Sequence, residues 1–245
     1  MERKIRIGAV SYLNTKPLLY GLQHGPIRDD IELTLDYPSN LVKSLKDDQI
    51  DIGLLPVAAL ADIDKYQIVS DYCIGTEGEV ASVCVFSDVP LEEIDTVLLD
   101  YQSRTSVLLC KILFAEHWKK SVQFIDAQDE SYIEKIKGNV AGLVIGDRAL
   151  RIRDRFKYIH DLGLGWKEMT GLPFVFAVWV SIQPDEVFQD QLEFCALGLS
   201  ELDRVIGENP FPYYNLEKYY KVNVSYRLTP EMKQSIQLYL SLISG

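Results

Sequence analysis

Alternation of strand and helix patterns over the first sixty residues is the feature that most limits how this chain can fold. Period-two alternation of apolar residues predicts strands at 4–10, 31–37 and 50–56, and a helical pattern follows each of the first two. Pro17 and Pro38 suit the first turns of these two helices. Strands and helices that alternate at this spacing form βαβ units, so we expect a mainly parallel sheet.

A strand-rich segment interrupts this alternation at residues 66–87. Two strands are predicted there, at 66–74 and 80–87, on either side of a turn at 75–78. After Pro90 the alternation of strands and helices resumes. The segment therefore reads as a joint between two α/β parts of the chain.

The second half of the chain contains a second joint and a helical tail. A long helix is predicted from 103 to about 120, and residues 172–181 form a continuous apolar strand that is the second candidate joint. An amphipathic helix is expected from Phe188 to about Ile206, and a last helix from 229 to 242.

Two α/β lobes that are joined by two strand crossings, with a tail returning to the first lobe, form the architecture of type II periplasmic-binding-protein-like folds. We expect residues 1–88 with 182–245 to form the first lobe and residues 89–181 the second, each around a central mixed sheet. Ligands of such folds bind in the cleft between the lobes, where strand ends and helix starts converge.

The charge balance excludes several classes of partner. The chain has 25 Lys and Arg against 36 Asp and Glu, a net charge of −11, and no basic run stands out. Nucleic acid and anionic membrane surfaces are therefore not expected as partners. An anionic ligand would have to be attracted by local donors against this overall field. The oligomeric state stays open, with a homodimer as one option.

The cysteines and the apolar runs indicate the compartment. Four cysteines are scattered through the chain and read as small buried hydrophobic residues: Cys73, Cys84, Cys110 and Cys195. There is no CxxC, no Cys/His metal spacing, no GxGxxG and no Walker motif. No apolar signal segment or uncharged apolar run of about 18 residues is present. These features predict a soluble, reduced, cytoplasmic protein without a metal.

Three polar turns each follow a predicted strand and precede a helix. They are residues 11–16, the region of Pro56, and residues 100–106. In the third turn Ser103 can cap the helix, while Thr105 and Ser106 add hydroxyls beside free backbone N–H groups at the positive end of the helix dipole. Such a turn can bind an anion, although ordinary capping explains the same pattern.

Asn14, Ser82 and the three histidines each have a functional and a structural interpretation. The amide of Asn14 can donate to a carboxylate and accept from a hydroxyl at once, yet an ordinary turn also explains it. Ser82, on a strand of the joint, can face the cleft or water. His24, His117 and His160 have no triad pattern and no HExxH, so we expect structural roles for them.

Six short blocks occur in order along the chain and belong together. They are GAVSYLNTKPL (8–18), DIGLLP (51–56), VASVCVFS (80–87), SRTS (103–106), GD (146–147) and DLGLGWKEMTGLPFVFAVW (161–179). Together they resemble the chorismate dehydratases of the futalosine route to menaquinone. The resemblance implies a cytoplasmic carbon–oxygen lyase of binding-protein-like fold that converts chorismate to 3-[(1-carboxyvinyl)oxy]benzoate and water without a cofactor.

The resemblance also implies roles for individual residues. By motif position Asn14 and Ser82 are the catalytic pair. The positions implied to bind the substrate are Ser11, Tyr12, Thr15, Pro56, Ser103, Arg104, Thr105, Ser106, Gly146, Asp147, Pro173 and Phe174. Glu79 departs from the family pattern, in which we expect a small residue or proline.

A site that is poor in bases suits this reaction, because the elimination creates an aromatic ring and the protein must mainly orient the substrate and exclude water. We hypothesise that the enolpyruvyl carboxylate of chorismate takes the C3 proton, while Asn14 holds that group and Ser82 hydrogen-bonds the ligand. Lys16, Arg104 and Arg148 are candidates for adding positive charge.

Two other functions stay open. The sister enzyme of the pathway, 1,4-dihydroxy-6-naphthoate synthase, shares the fold and is expected to use a histidine of the second lobe, for which His160 is the nearby candidate. The second alternative is a non-catalytic solute-binding protein that captures a small carboxylate.

The tyrosine-rich segment 213–220 is expected to pack beneath the tail rather than cover the cleft.

Overall fold

Two β-sheets form the centre of the computed structural model, which describes residues 3–183, 192–193 and 195–244. The described strands are β1 (Ile5–Ala9), β2 (Ile31–Leu35), β3 (Ile52–Pro56), β4 (Gln67–Thr76), β5 (Val83–Ser87), β6 (Thr96–Leu99), β7 (Gln123–Asp126), β8 (Val140–Ile145), β9 (Tyr158–Asp161), β10 (Phe174–Ser181) and β11 (Ser225–Arg227). The described α-helices are α1 (Lys16–His24), α2 (Pro38–Lys46), α3 (Arg104–Ile112), α4 (Gly146–Ile152), α5 (Leu162–Thr170), α6 (Cys195–Ser200), α7 (Leu202–Glu208), α8 (Leu216–Lys218) and α9 (Pro230–Ser244).

The first sheet, which we call lobe 1 together with the helices packed on it, has six strands in the order β11-β4-β10-β3-β1-β2. Strands β1, β2 and β3 run parallel to one another, as the βαβ spacing predicts. Strand β10 is antiparallel to both β3 and β4, and β11 is antiparallel to β4. The sheet is therefore mixed, with its parallel half built from the first sixty residues.

The second sheet, the centre of lobe 2, has five strands in the order β7-β6-β8-β5-β9. Strands β6, β7 and β8 are parallel, and β5 pairs antiparallel with β8 and β9. Two mixed sheets in two lobes confirm the predicted α/β fold class.

The chain crosses between the sheets earlier than the sequence analysis expects. Strand β5, which the boundary at residue 88 would leave in lobe 1, pairs in the sheet of lobe 2. Strand β10, which the boundary at residue 181 would leave in lobe 2, pairs in the sheet of lobe 1. Both strands are largely apolar and buried, so their sequences do not indicate which of the two sheets each strand joins.

Two of the predicted helices differ in extent from the observed ones. Helix α3 ends at Ile112 and continues only as a π-helical turn over Leu113–His117, followed by Lys119 in a left-handed conformation with φ 51°. The helix expected from 188 to 206 corresponds in part to α6 and α7, and its residues 188–191 and 194 lie outside the described residues. The last helix is observed as α9.

Helices α1 and α6 pack against each other at very short range. Gly198 of α6 lies directly against the carbonyl oxygen of Pro17, and a β-carbon at this position would overlap that oxygen. Leu18, Leu19 and Leu22 of α1 are fully buried in the same core. The start of α1, next to Asn14, is thus fixed by a backbone-to-backbone contact.

The tail braces both lobes. Strand β11 extends the sheet of lobe 1, and α9 packs on β10 and on α3 of lobe 2. The Tyr239 hydroxyl of α9 donates to the Thr105 carbonyl at 2.9 Å, and the Trp166 indole donates to Ser235 Oγ at 2.9 Å. Among the described residues, none of the helices combines the length and the apolar character that crossing a membrane requires.

Candidate active site

A cavity of about 90 Å³ lies between the lobes, where β1 and β3 end and α3 and α4 begin. Eight of the positions singled out in the sequence line it together: Tyr12, Asn14, Thr15, Pro56, Ser82, Ser103, Ser106 and Gly146. This convergence follows from topology, because residues after parallel strands meet at one edge of a sheet.

Asn14 sits in a short 3-10 turn, Leu13–Thr15, that leads into α1. The Thr15 hydroxyl donates to its amide Oδ1 at 3.1 Å, and the Tyr226 hydroxyl donates to its backbone carbonyl at 3.0 Å. Because the amide oxygen already accepts a hydrogen bond, the amide nitrogen is the group left to donate to a ligand. The side chain is thus placed as a neutral donor in the wall of the cavity.

Ser82 lies at the end of the first crossing and is almost completely buried. The Tyr219 hydroxyl donates to Ser82 Oγ at 2.8 Å, and the backbone N–H of Gly146 donates to the Ser82 carbonyl at 2.7 Å. Ala81, just before it, has a positive φ of 65°, a conformation that a residue with a β-carbon rarely adopts. The backbone at Ala81, directly before Ser82, is therefore held in a strained conformation by its neighbours.

Asp161 is the residue that holds this strained segment. Its carboxylate accepts from the backbone N–H groups of Val80 at 3.1 Å and Ala81 at 2.7 Å, and it caps α5 by accepting from Leu164 at 3.1 Å. Burial raises the pKa of the Asp161 carboxyl, and the three N–H groups oppose this shift only in part. The carboxylate thus links the Ser82 segment to the start of α5.

Replacing Asp161 by asparagine is expected to lower the free energy of unfolding by about 2–3 kcal/mol, because the amide NH₂ takes the place of one carboxylate oxygen and at least one buried backbone N–H loses its acceptor. Urea denaturation of the purified variant measures this change. Asp129→Asn is the matched control, since Asp129 caps an exposed turn at Ser131, and asparagine caps equally well. Equal, small losses in both variants would contradict the role of Asp161.

The start of α3 provides two hydroxyls to the cavity. Ser103 caps the helix by accepting from the Ser106 N–H at 3.2 Å, and its hydroxyl donates to Ser106 Oγ at 2.9 Å. Thr105 turns away instead: its Oγ1 accepts from the Ala58 N–H at 3.1 Å. Consecutive helix residues point about 100° apart, so Thr105 faces lobe 1 while Ser106, the next residue, faces the cavity.

Pro173 and Phe174, proposed as substrate contacts, do not line the cavity. Phe174 is buried beneath it, with its ring 5.3 Å from that of Trp166 and 5.2 Å from that of Tyr239. Phe176 and Ala177 of the same strand line the cavity in their place. An irregularity in the pairing of β10 with β4 lies at this point, and the sequence gives no signal for it.

Ser11 and Arg104 lie outside the inner cavity. Ser11 is exposed and accepts a hydrogen bond from Lys16 Nζ at 3.0 Å. Arg104 pairs with Asp62 at the surface and lines an outer groove of about 640 Å³. This outer groove adjoins the cavity, because Gln102 lines both.

Asp147 does not line the cavity and instead makes a structural contact between the lobes. Its Oδ1 accepts from the backbone N–H of Leu13 at 3.1 Å, which joins the start of α4 in lobe 2 to the turn that carries Asn14 in lobe 1. Burial raises the pKa of the Asp147 carboxyl, and the Leu13 N–H opposes that shift.

Gln102 is a cavity residue that was not singled out in the sequence, although it lies in the third polar turn. Its Oε1 accepts from the Tyr12 hydroxyl at 3.3 Å and from Arg148 Nη2 at 3.0 Å, so it connects the lobes and brings a cation to the rim. Arg148 also donates to Asp100 at 2.7 Å, and its Nη1 is buried without a hydrogen-bond partner among the described residues.

The chemical character of the cavity wall is neutral. Among the described residues that line it, none is Asp, Glu, His, Lys, Arg or Cys, and the remaining positions are apolar, hydroxyl or amide groups. Burial raises the pKa of Tyr12, so its phenol stays protonated near neutral pH. The described residues contain no group of three or more His, Cys, Asp and Glu side chains that could hold a metal ion. Such a wall can orient a ligand and donate hydrogen bonds.

A family model described as menaquinone biosynthesis matches residues 5–244, nearly the whole chain. The chain belongs to this menaquinone biosynthesis family. Two curated relatives are similar over most of its length. A chorismate dehydratase of Campylobacter jejuni subsp. jejuni is 28% identical over 220 residues, which covers 87% of this chain and 80% of the relative. A chorismate dehydratase of Thermus thermophilus is 27% identical over 191 residues, covering 71% and 68%.

Solved structures show that this member of the family has a periplasmic-binding-protein-like fold. Protein AF1704 from Archaeoglobus fulgidus superposes with a TM-score of 0.77 at 16% identity, covering 98% of this chain and 97% of that one. The periplasmic aliphatic sulphonate binding protein SsuA from Escherichia coli superposes with a TM-score of 0.66 at 12% identity, covering 100% and 92%. The predicted two-lobed fold is confirmed.

Proposed function

We propose that this protein is a chorismate dehydratase that converts chorismate to 3-[(1-carboxyvinyl)oxy]benzoate and water in the cleft between its lobes. The observation that carries the proposal is the cavity wall, which unites Asn14 and Ser82 and offers neutral donors without an acid or base among its described residues. The relatives that bear this name share the family and most of the chain length.

The elimination needs little chemistry from the protein. The C3–H bond of chorismate breaks, its electron pair forms the C3–C4 double bond, and the C4–O bond breaks to release hydroxide, which takes up the proton as water. The ring that results is aromatic, and this supplies a large driving force. The enolpyruvyl carboxylate of the substrate accepts the C3 proton and passes it to the departing oxygen, which leaves as water, so the protein has to hold that group near C3 and exclude bulk water.

Each part of the wall has a place in this scheme. The Asn14 amide nitrogen donates to the enolpyruvyl carboxylate, and Ser82 donates to another ligand oxygen. Ser106 donates to the ring carboxylate beside the N-terminus of α3, since the Ser103 hydroxyl donates to Ser106 Oγ and leaves the Ser106 hydrogen free. Arg148, which Gln102 contacts at the rim, is paired with Asp100, and its Nη1, which has no hydrogen-bond partner among the described residues, is the group left to donate to an anionic ligand.

A 1,4-dihydroxy-6-naphthoate synthase is less consistent with the position of the histidine candidate. His160 lies on β9, an edge strand of the second sheet, with its ring 5.9 Å from that of Trp118. It does not line the cavity. Burial lowers the pKa of His160, which keeps the imidazole neutral near pH 7.

The proposal includes a cytoplasmic location and catalysis without a cofactor. The cytoplasmic location is supported by the four cysteines, which are all free and buried and would persist unpaired in a reducing compartment. A homodimer remains a prediction.

Incubation of the purified protein with chorismate tests the function. We expect loss of chorismate and formation of an aromatic product with the mass and retention time of 3-[(1-carboxyvinyl)oxy]benzoate, followed by ultraviolet absorbance and chromatography without added metal or cofactor. Binding of chorismate without turnover would instead favour solute capture. If the protein neither binds nor converts chorismate, the proposed substrate is rejected.

A further inference from the structure

Two tyrosine hydroxyls, one from the tyrosine-rich segment 213–220 and one from β11, donate hydrogen bonds to residues that line the cavity. Tyr226 donates to the Asn14 carbonyl, and Tyr219 donates to Ser82 Oγ at 2.8 Å. Tyr219 follows α8 in a π-helical turn and is fully buried, as is Ser82. The segment therefore packs under the site, and its Tyr219 contacts a residue of the cavity wall itself.

The chemistry of the two hydroxyls sets the direction of their hydrogen bond. A phenol is a stronger donor than an aliphatic alcohol, so Tyr219 donates and Ser82 accepts. Burial strongly raises the pKa of Tyr219, so the phenol keeps its proton over the working range of pH. A hydroxyl has one hydrogen, and with its Oγ engaged by Tyr219, Ser82 is left to donate that hydrogen toward the cavity that it lines.

We propose that Tyr219 is a positioning residue for the elimination: its hydroxyl fixes the rotation of the Ser82 side chain so that the Ser82 hydrogen points into the cavity and meets an oxygen of the substrate. This role rests on the proposed function. Hydrogen bonds in a chain polarise one another in a site of low dielectric, so the same contact also strengthens Ser82 as a donor.

Tyr219 is itself held rigidly enough for this task. Its ring lies 6.1 Å from Tyr214 in an edge-on arrangement, and the Tyr214 hydroxyl donates to Asn223 Oδ1 at 3.0 Å. The amide of Asn223 then donates to the Glu79 carbonyl at 3.1 Å, in the same crossing segment that carries Ser82. The tyrosine segment and the Ser82 segment are thus joined at two points, which fixes the distance between the two hydroxyls.

Tyr219→Phe tests the proposal, because it removes one oxygen and keeps the ring. We expect kcat for chorismate to fall by about 10- to 100-fold and KM to change by less than about threefold. Tyr220→Phe is the matched control: Tyr220 is the adjacent buried tyrosine, and its hydroxyl has no hydrogen-bond partner in the part of the chain that is described. Its kcat is expected to stay within about twofold of the wild-type value.

Tyr219→Phe in a Ser82→Ala background shows whether Tyr219 acts through Ser82 or stabilises the site independently of Ser82. If Tyr219 acts through Ser82, Tyr219→Phe lowers kcat further by less than about twofold once Ser82 is gone. An equal loss in both backgrounds, or an unchanged kcat of the single variant, would overturn the proposal.

Two further readouts keep the test decisive. Thermal unfolding verifies that each variant is folded; if Tyr219→Phe is not, replacement of Tyr219 by 3-fluorotyrosine keeps the hydroxyl and makes it a stronger donor. We then expect kcat to change when 3-fluorotyrosine replaces Tyr219 and to stay the same when it replaces Tyr220. An unchanged kcat for the variant at position 219 would overturn the proposal. Absence of product with the wild-type protein would reject the proposed function together with this role, whereas normal wild-type turnover with an unaffected variant would reject the role of Tyr219 alone.

Discussion

Asn14→Ala is expected to lower kcat for chorismate by about 10²- to 10³-fold, the usual effect of removing one oriented donor from an active site. The substitution removes the amide that would hold the enolpyruvyl carboxylate near C3, while the backbone contact from Tyr226 to the carbonyl of residue 14 remains. Steady-state kinetics with chorismate measures the loss. We expect the free energy of unfolding to change by less than about 1 kcal/mol, since the side chain is only half-buried.

Two companion variants define what Asn14 contributes. Asn14→Asp keeps the size of the side chain but replaces the donor by a negative charge, and we expect a loss at least as large because two carboxylates would repel each other. Asn139→Ala is the matched control: Asn139 is exposed in lobe 2, and its amide donates to Asp95, its one side-chain partner in the described part of the chain. Near wild-type activity of Asn14→Ala would contradict the proposed mechanism.

Gly198→Ala is expected to lower the free energy of unfolding by at least about 3 kcal/mol, because the added methyl group would overlap the carbonyl oxygen of Pro17. The obstacle is backbone, so the overlap is relieved only by moving α1 and α6 apart. Where α1 takes up part of this shift, Asn14, two residues before the start of α1, is displaced as well. Urea denaturation and chorismate turnover together record both effects.

The control for this variant is Gly207→Ala in the neighbouring helix α7. Gly207 is exposed, and among the described residues no atom beyond the adjacent backbone of its own helix lies within 4 Å of the position that its β-carbon would take. Alanine in a helix is favoured over glycine by about 0.5–1 kcal/mol, so this variant should be slightly more stable than the wild type. Unchanged stability of Gly198→Ala would show that α1 and α6 are not in close backbone contact.

The sequence predicts where polar turns lie but not the direction of each side chain within them. Strands, helices and the polar turns after β1 and β6 follow from local periodicity, and topology alone brings Asn14 and Ser103 to one cleft. Thr105 and Phe174 carry the same motif signal as their neighbours, yet one faces Ala58 and the other packs on Trp166. Rotation about a helix axis and strand irregularities decide these directions, and both depend on tertiary contacts.

The contacts of Ser82 could not be predicted for a related reason. Tyr219 lies 137 positions away along the chain, and no periodicity links residues at such a separation. The two crossings show the same limit: β5 and β10 are recognisable as strands, but the sheet that each joins depends on partners from distant segments. Local pattern therefore specifies elements, whereas pairing between distant elements builds the site.

The hydrogen bonds that join the lobes affect the rates at which a ligand binds and dissociates. The inner cavity of about 90 Å³ is well below the ~300 Å³ at the lower end of small-molecule pockets, and the bonds from Tyr12 to Gln102 and from Leu13 to Asp147 span the cleft. For a ligand larger than the cavity, we expect these bonds to break and the lobes to part before the ligand is fully enclosed. Association would then be paced by the frequency of opening rather than by diffusion. Inhibitors shaped for this cavity should accordingly be ranked by residence time as well as by affinity at equilibrium.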